Sequence, residues 1–135
     1  MATRHQVRNS VVSLLYAHDF NSGSIMGFKD EVFEDKKIRN KQKEFANSLL
    51  RGVLDKLNEI DGILENKLSG NWEFDKIGKI EKAVLRLGVY EIHFEGVEKA
   101  IVINEALETI KDFGNDSASK LINGVLDSIE KAVKE

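Results

Sequence analysis

The sequence predicts an all-α protein, on three observations. Proline is absent from all 135 residues, so nothing in the chain removes a helical donor or kinks a helix. Strict apolar–polar alternation is rare, which argues against half-buried strands. Apolar residues instead recur three and four positions apart along most of the chain, the period of one helix face. The pattern yields about seven helices. No linker is long enough to part independent domains, so residues 1–135 form a single domain with one shared core.

The first helix opens on a capping box: Thr3 is the N-cap and Gln6, three residues on, reaches back. Val7, Val11, Leu14 and Leu15 form its stripe, running toward Phe20. Arg4 and Arg8 lie four apart and share a face. Asn21 to Gly27 reads as loop, and Lys29 to Asp35 as a short helix. Ile38 to Leu57 is expected to be one long helix, with Phe45, Ala46, Leu49, Leu50, Val53 and Leu54 in its stripe and Gly52 marking a close approach. The apolar face shifts near Asn58, which predicts a break and a further helix to about Leu68. Ser69-Gly70-Asn71 is a turn, and Trp72 and Phe74 should pin it to the core.

Asp75 is placed to cap the next helix, whose stripe is Ile77, Ile80, Val84 and Leu87. Ala83, Val84, Leu85, Leu87 and Val89 spread over more than half of its circumference, so some should face a neighbour or a partner. Arg86 and Glu91 are expected in intramolecular ion pairs, with Glu105 a candidate partner for Arg86. Gly96 ends this helix. The next has Ile103, Ala106, Leu107 and Ile110 as its stripe and stops at Phe113-Gly114, where glycine reaches the left-handed conformation at little cost. Ser117 should cap the last helix, in which Leu121, Ile122, Val125, Leu126 and Ile129 recur. Asn104, Asn123 and Gly124 break the amphipathic pattern and are expected to be interior packing and hydrogen-bonding devices, with another backbone close to Gly124.

Composition narrows the function classes. No apolar run approaches the roughly 20 residues of a membrane span, and the N-terminus has no apolar core of a signal peptide. Cysteine is absent, consistent with a cytoplasmic location and excluding thiolate chemistry. The net charge of −3 argues against a surface coated with cations for nonspecific nucleic-acid binding. Any such binding must use a local patch. One candidate is the N-terminus, where Arg4, His5 and Arg8 precede the first acid, Asp19; the other is the run Lys36 to Lys43, with five cations and no acid. His5, His18 and His93 have no metal-ligand spacing, no phosphate loop is present, and Ser117 and Ser119 have no base near them in sequence. The expectation is a protein that is not an enzyme and needs no cofactor or metal.

Four motifs carry a family resemblance. INEA, then FG, a capping residue and NGVLD, at 103–127, is similar to the C-terminal signature of the NusB family of transcription antitermination factors. IEKAVLRLGVYEI at 80–92, Trp72 in the preceding turn and RHQVRNSVVSLLY at 4–16 resemble further family features, in the same order and spacing. The family's usual proline opening the next-to-last helix is replaced by Glu98, a carboxylate that favours the helix dipole.

The resemblance implies two small packed helical subdomains, about 1–70 and 71–135. It also implies binding of boxA-type RNA of nascent ribosomal RNA transcripts, jointly with the small-subunit ribosomal protein NusE, in the antitermination complex on RNA polymerase. Arg4, His5 and Arg8 would be the RNA-binding residues. Glu81, at the edge of the apolar 81–91 stretch, would be the partner-binding one. Self-association of the free protein is a further expectation drawn from relatives. Two alternatives stand beside this reading. One is a helical adaptor that binds only protein. The other is a module related to the N-terminal domain of ribosomal-RNA cytosine methyltransferases, disfavoured as a standalone enzyme because the chain ends at Glu135.

Overall fold

The computed structural model describes residues 2–20, 25–68 and 73–132. These form seven α-helices: α1 Arg4–His18, α2 Ile25–Asp35, α3 Lys41–Asp55, α4 Leu57–Lys67, α5 Lys79–Val89, α6 Lys99–Asp112 and α7 Ser119–Asp127. Among the described residues there is no strand, and no helix is long and apolar enough to cross a membrane.

Local chemistry sets most of the boundaries. The capping box is present: the Thr3 hydroxyl accepts from the Gln6 N–H at 3.1 Å and the Gln6 side chain accepts from the Thr3 N–H at 2.8 Å. Helix α6 ends in a Schellman turn, with the Asn115 N–H donating to the Ile110 carbonyl and Gly114 to Lys111, and Gly114 at φ 76°. The same turn ends α2, but there Lys37 takes the left-handed position at φ 58°. A side chain in that region carries strain that glycine avoids. This is why the long helix expected from Ile38 begins only at Lys41: Lys37 and Asn40 both have positive φ, and Ile38, 1 % exposed, anchors the connector in the core.

Helix α5 is the axis of the fold. Residues 83 to 89 are all buried, so the helix is covered on every side. It packs against α1, α3 and α4 from the first half of the chain and against α6 and α7 from the second. The excess apolar circumference read in the sequence therefore meets the chain's own neighbours and leaves no uncovered apolar face on α5. Its last turn widens into a π-helical turn, Tyr90–Phe94, which aims Glu91 inward. The tail after α7 returns to this turn: the Ala132 N–H donates to the His93 carbonyl at 3.0 Å, and His93 Nδ1 lies 2.6 Å from the Glu130 carbonyl.

Several expectations are corrected. Helix α2 begins at Ile25, inside the expected loop, and the α3–α4 break falls at Lys56 rather than near Asn58. Asp75 lies in a short 3-10 turn, Phe74–Lys76, and does not cap α5, whose N-cap position is Gly78, without a side-chain cap. Ser117 likewise lies in a 3-10 turn and donates to the Asn115 side chain, leaving α7 uncapped. The buried face of α6 is Val102, Ala106, Thr109 and Ile110, so Ile103 and Leu107 are only partly covered. Asn104, Asn123 and Gly124 are exposed, and a Cβ built on Gly124 would meet nothing within 4 Å. Gly52 does mark a close approach: a Cβ there would lie 2.2 Å from the Tyr90 ring. Trp72 and the Ser69–Asn71 turn lie outside the described residues.

Candidate nucleic-acid interface

Helices α1 and α3 pack with their N-termini together, and this joins the two cationic segments of the sequence. Arg4, Val7, Lys41, Gln42 and Phe45 line one cleft. The Gln42 side chain donates to the Ala2 carbonyl, fastening α3 to the segment before α1. The Arg4 guanidinium lies 3.9 Å from the centroid of the Phe45 ring, so a cation–π contact holds it over α3. The connector that feeds this end of α3 carries Lys36 and Lys37, both exposed. Among the described residues, Arg4, Lys36, Lys37 and Lys41 have no ion-pair partner, whereas Arg39 pairs with Glu34 and Lys43 with Asp30. Helix α1 has no acid in its first turn, although cations there oppose the helix dipole by about 0.3–1 kcal/mol. The patch is assembled against local helix preference.

The three N-terminal cations are not equivalent. Arg4 is exposed. Arg8 is only 8 % exposed and turned inward, where its Nη2 and Nε donate to Glu91 Oε2 at 2.7 and 3.1 Å. Burial pushes the Glu91 carboxyl above its ordinary value, opposed by the bond and charge of Arg8. His5 is half-buried against α6, with Nδ1 2.8 Å from Glu105 Oε1 and Nε2 2.7 Å from Asp112 Oδ2. Burial works against a charged His5 ring, but the bonds to Glu105 and Asp112 outweigh it and raise the ring above its usual value. Sequence spacing groups Arg4, His5 and Arg8. The fold gives each a different environment.

The second ion-pair centre ties the far end of α1 to the axis. Arg86, 6 % exposed, donates from Nε and Nη2 to the two Asp61 oxygens, both at 2.9 Å, and from Nη1 to Asp19 at 2.8 Å. Burial acts to lower Arg86, yet the two carboxylates hold it above its ordinary value. The expected Arg86–Glu105 pair is thus replaced by Asp61 and Asp19, because Arg86 leaves α5 toward α4 while Glu105 faces α1. Nearby, Tyr16 and Phe20 form an edge-on exposed pair with centroids 5.0 Å apart, and Lys79 reaches to 5.2 Å from the Phe20 ring. Two residues on, the Glu81 carboxylate folds back over Gly78 at the α5 N-terminus, where the dipole favours it. Lys41 carries no sequence signal beyond its membership of the acid-free run at 36–43.

Comparison with known proteins agrees with this architecture. The family model for the NusB family matches residues 5–131. The chain is 49% identical over 134 residues to the transcription antitermination protein NusB of Nitratiruptor sp., covering 99% of this chain and 96% of that one. It is 54% identical over 131 residues to the protein of the same name from Campylobacter fetus, covering 97% and 98%. Among solved structures, a chain in the crystal structure of antitermination factors NusB and NusE in complex with dsRNA matches with a TM-score of 0.82 and 31% identity, over 93% of each chain. T. maritima NusB matches with a TM-score of 0.83 and 30% identity, over 93% of this chain and 89% of that one. By sequence over nearly its whole length and by fold, the chain belongs to the NusB family.

Proposed function

We propose that the chain is a transcription antitermination factor that binds boxA-type RNA in nascent ribosomal RNA transcripts, in the cytoplasm. It does so together with the small-subunit ribosomal protein NusE, within the antitermination complex on RNA polymerase. The mechanism is assembly rather than catalysis. The observation that carries the reading is the convergence of Arg4 and Lys41 on one cleft, beside a cationic connector, in a chain of net charge −3. The names of the relatives and the RNA-bound structure of like fold support it. Cations without carboxylate partners can neutralise phosphates, and phosphate contacts position a protein on its nucleic acid. In this reading Arg4 and Lys41 contact backbone, Arg8 holds α1 in place through Glu91, and His5 lies at the acidic rim of the patch.

The test is a band-shift titration with boxA RNA, with and without NusE, over a range of salt. Arg4→Ala/Lys41→Ala should weaken binding across sequences. It should also flatten the slope of log K against log salt by roughly 1.4, since each lost contact on single-stranded RNA contributes about 0.7. An unchanged slope and affinity would remove the patch from the interface.

Glu81 is proposed as a rim residue of the NusE docking surface. Its support is the exposed Tyr16–Phe20 pair, bridged by Lys79 to the same end of α5. Rim charges chiefly set association rate. Glu81→Lys should therefore slow association with NusE at low salt while leaving helix content unchanged. An unaltered on-rate would exclude Glu81 from that surface.

A further inference from the structure

We propose that His5, Glu105 and Glu108 form a binding site for a single divalent transition-metal ion of the zinc class, with Asp112 as the outer partner of the histidine. The inference does not rest on the RNA-binding reading. Local spacing hides the site, because its ligands come from helices a hundred residues apart. Glu105 and Glu108 are three apart on α6 and project from one face. His5 arrives from the first turn of α1. His5 Nδ1 lies 2.8 Å from Glu105 Oε1 and 3.8 Å from Glu108 Oε2, and one ligand atom from each residue falls within 4.8 Å of the others.

Those separations suit a shared small cation. Zinc binds imidazole nitrogen and carboxylate oxygen at about 2.0–2.2 Å in tetrahedral geometry, so its ligand atoms sit roughly 3–3.5 Å from one another. His5 Nδ1 and Glu105 Oε1 are already slightly closer than that and Glu108 slightly farther, so binding opens the first contact and draws Glu108 in.

The other face of the ring supplies an independent observation. Metal-bound histidine nearly always donates its second N–H to a carboxylate or carbonyl, which fixes tautomer and ring orientation. Here Nε2 lies 2.7 Å from Asp112 Oδ2, and the same oxygen accepts from the Asn9 amide at 2.9 Å. Asn9 is itself held, its carbonyl accepting from the Thr109 hydroxyl at 2.8 Å. Metal binding displaces the Nδ1 proton that bonds Glu105 in the metal-free ring; with the other proton kept on Nε2 toward Asp112, the Nδ1 lone pair is free to face the ion.

The ligand set selects the metal class. One imidazole with two carboxylates suits zinc and its first-row neighbours, whereas magnesium prefers an all-oxygen octahedron and retains its waters. The Glu108 side chain is 55% exposed, so the fourth position opens to solvent and can take a water. A bound ion would cross-link the start of α1 to α6.

The experiment uses the full chain without an affinity tag, stripped with chelator and returned to non-chelating buffer. Zinc chloride is titrated calorimetrically, and melting is followed with and without zinc. The expected result is one ion per chain, with a melting midpoint raised on the order of 5 °C at saturating metal. Glu108→Gln and His5→Gln should each weaken binding at least tenfold. Asp112→Asn should weaken it about tenfold through the outer contact alone. Glu108 is exposed and bears on no buried contact, so that variant keeps the fold as a control. Zinc binding that survives both Glu108→Gln and His5→Gln would assign the ion to His18 or His93 and overturn the proposal. So would the absence of binding up to about 100 µM zinc, or equal affinity for magnesium.

Discussion

Removing Glu91 alone should be among the most damaging single changes in this protein. Its side chain is 3% exposed and that of Arg8 10%, and the guanidinium meets the carboxylate at 2.7 and 3.1 Å. Glu91→Leu leaves the Arg8 charge among Val12, Val84, Leu87, Val102 and Ala106 without its counter-ion, the remaining carboxylate of that cavity, Glu105, being engaged by His5. Breaking one side of such a pair costs about 3–5 kcal/mol, because the surviving charge stays buried. For a chain of this length the unfolding entropy at the midpoint is about 0.28 kcal/mol per kelvin. The change should therefore lower the melting midpoint by about 10–18 °C. Calorimetric melting and urea denaturation at neutral pH measure it. The double variant Arg8→Met/Glu91→Leu, which replaces both charges with apolar volume, should return to within about 1 kcal/mol of the parent, since paired burial itself adds little. If Glu91→Leu alone melts within 3 °C of the parent, Arg8 escapes to solvent at no cost and the pair does not fix α1 on α5.

Three further outcomes are expected. Gly124→Ala should raise stability by about 0.4–1 kcal/mol in urea, because the position is exposed, helical and open around the added methyl; a loss would mean the site is packed. Gly52→Ala should lower stability by about 1–3 kcal/mol by driving the Tyr90 ring from its place, and adding Tyr90→Leu should recover most of the loss. In the Tyr16→Phe background, Tyr90 is the remaining tyrosine and its phenol should titrate at about 12 by ultraviolet absorbance. Burial and the bond to Glu95 hold it there. A group raised in the folded state contributes stability below its unfolded value of about 10. That contribution should drain away between pH 10 and about 12, and a midpoint near 10 would contradict the burial.

Local signals in the sequence translated well into structure. The Thr3–Gln6 box, the Phe113-Gly114 stop and the α3 stripe of Ala46, Leu49, Leu50 and Val53 all depend on residues within one or two turns of one another. Failures occurred where a distant element decides. Arg86 finds Asp61 and Asp19 because α4 and the end of α1 pack beside α5, which helical period alone does not encode. Asn104 and Asn123 interrupt apolar runs, which points to the interior, but α6 and α7 turn those positions outward. The basic site was half visible. Arg4 stood out by charge, whereas Lys41 joins it only because α1 and α3 align their N-termini. Arg8 looked equivalent to Arg4 until the π-helical turn brought Glu91 to meet it.

The burial of α5 on all sides has a consequence for synthesis. A chain emerging from the ribosome presents α1 to α4 first; α1 can close on α2 and α3, but the contacts that α1, α3 and α4 make with α5 wait until residues 79–89 follow. Val7, Val11 and Leu14 would wait with part of their surface wet, and the α1–α6 contacts must span about a hundred residues of chain. Long-range closure of this kind slows folding relative to helical bundles built from sequential neighbours. Completion comes only when α6 and α7 cover the other side of α5, so the last quarter of the polypeptide determines when the axis itself becomes protected, whereas α1, packed on α2, α3 and α5, is covered earlier. Amide exchange on nascent chains of increasing length should show α1 protected once α5 has cleared the exit tunnel, and α5 fully protected only once α7 has.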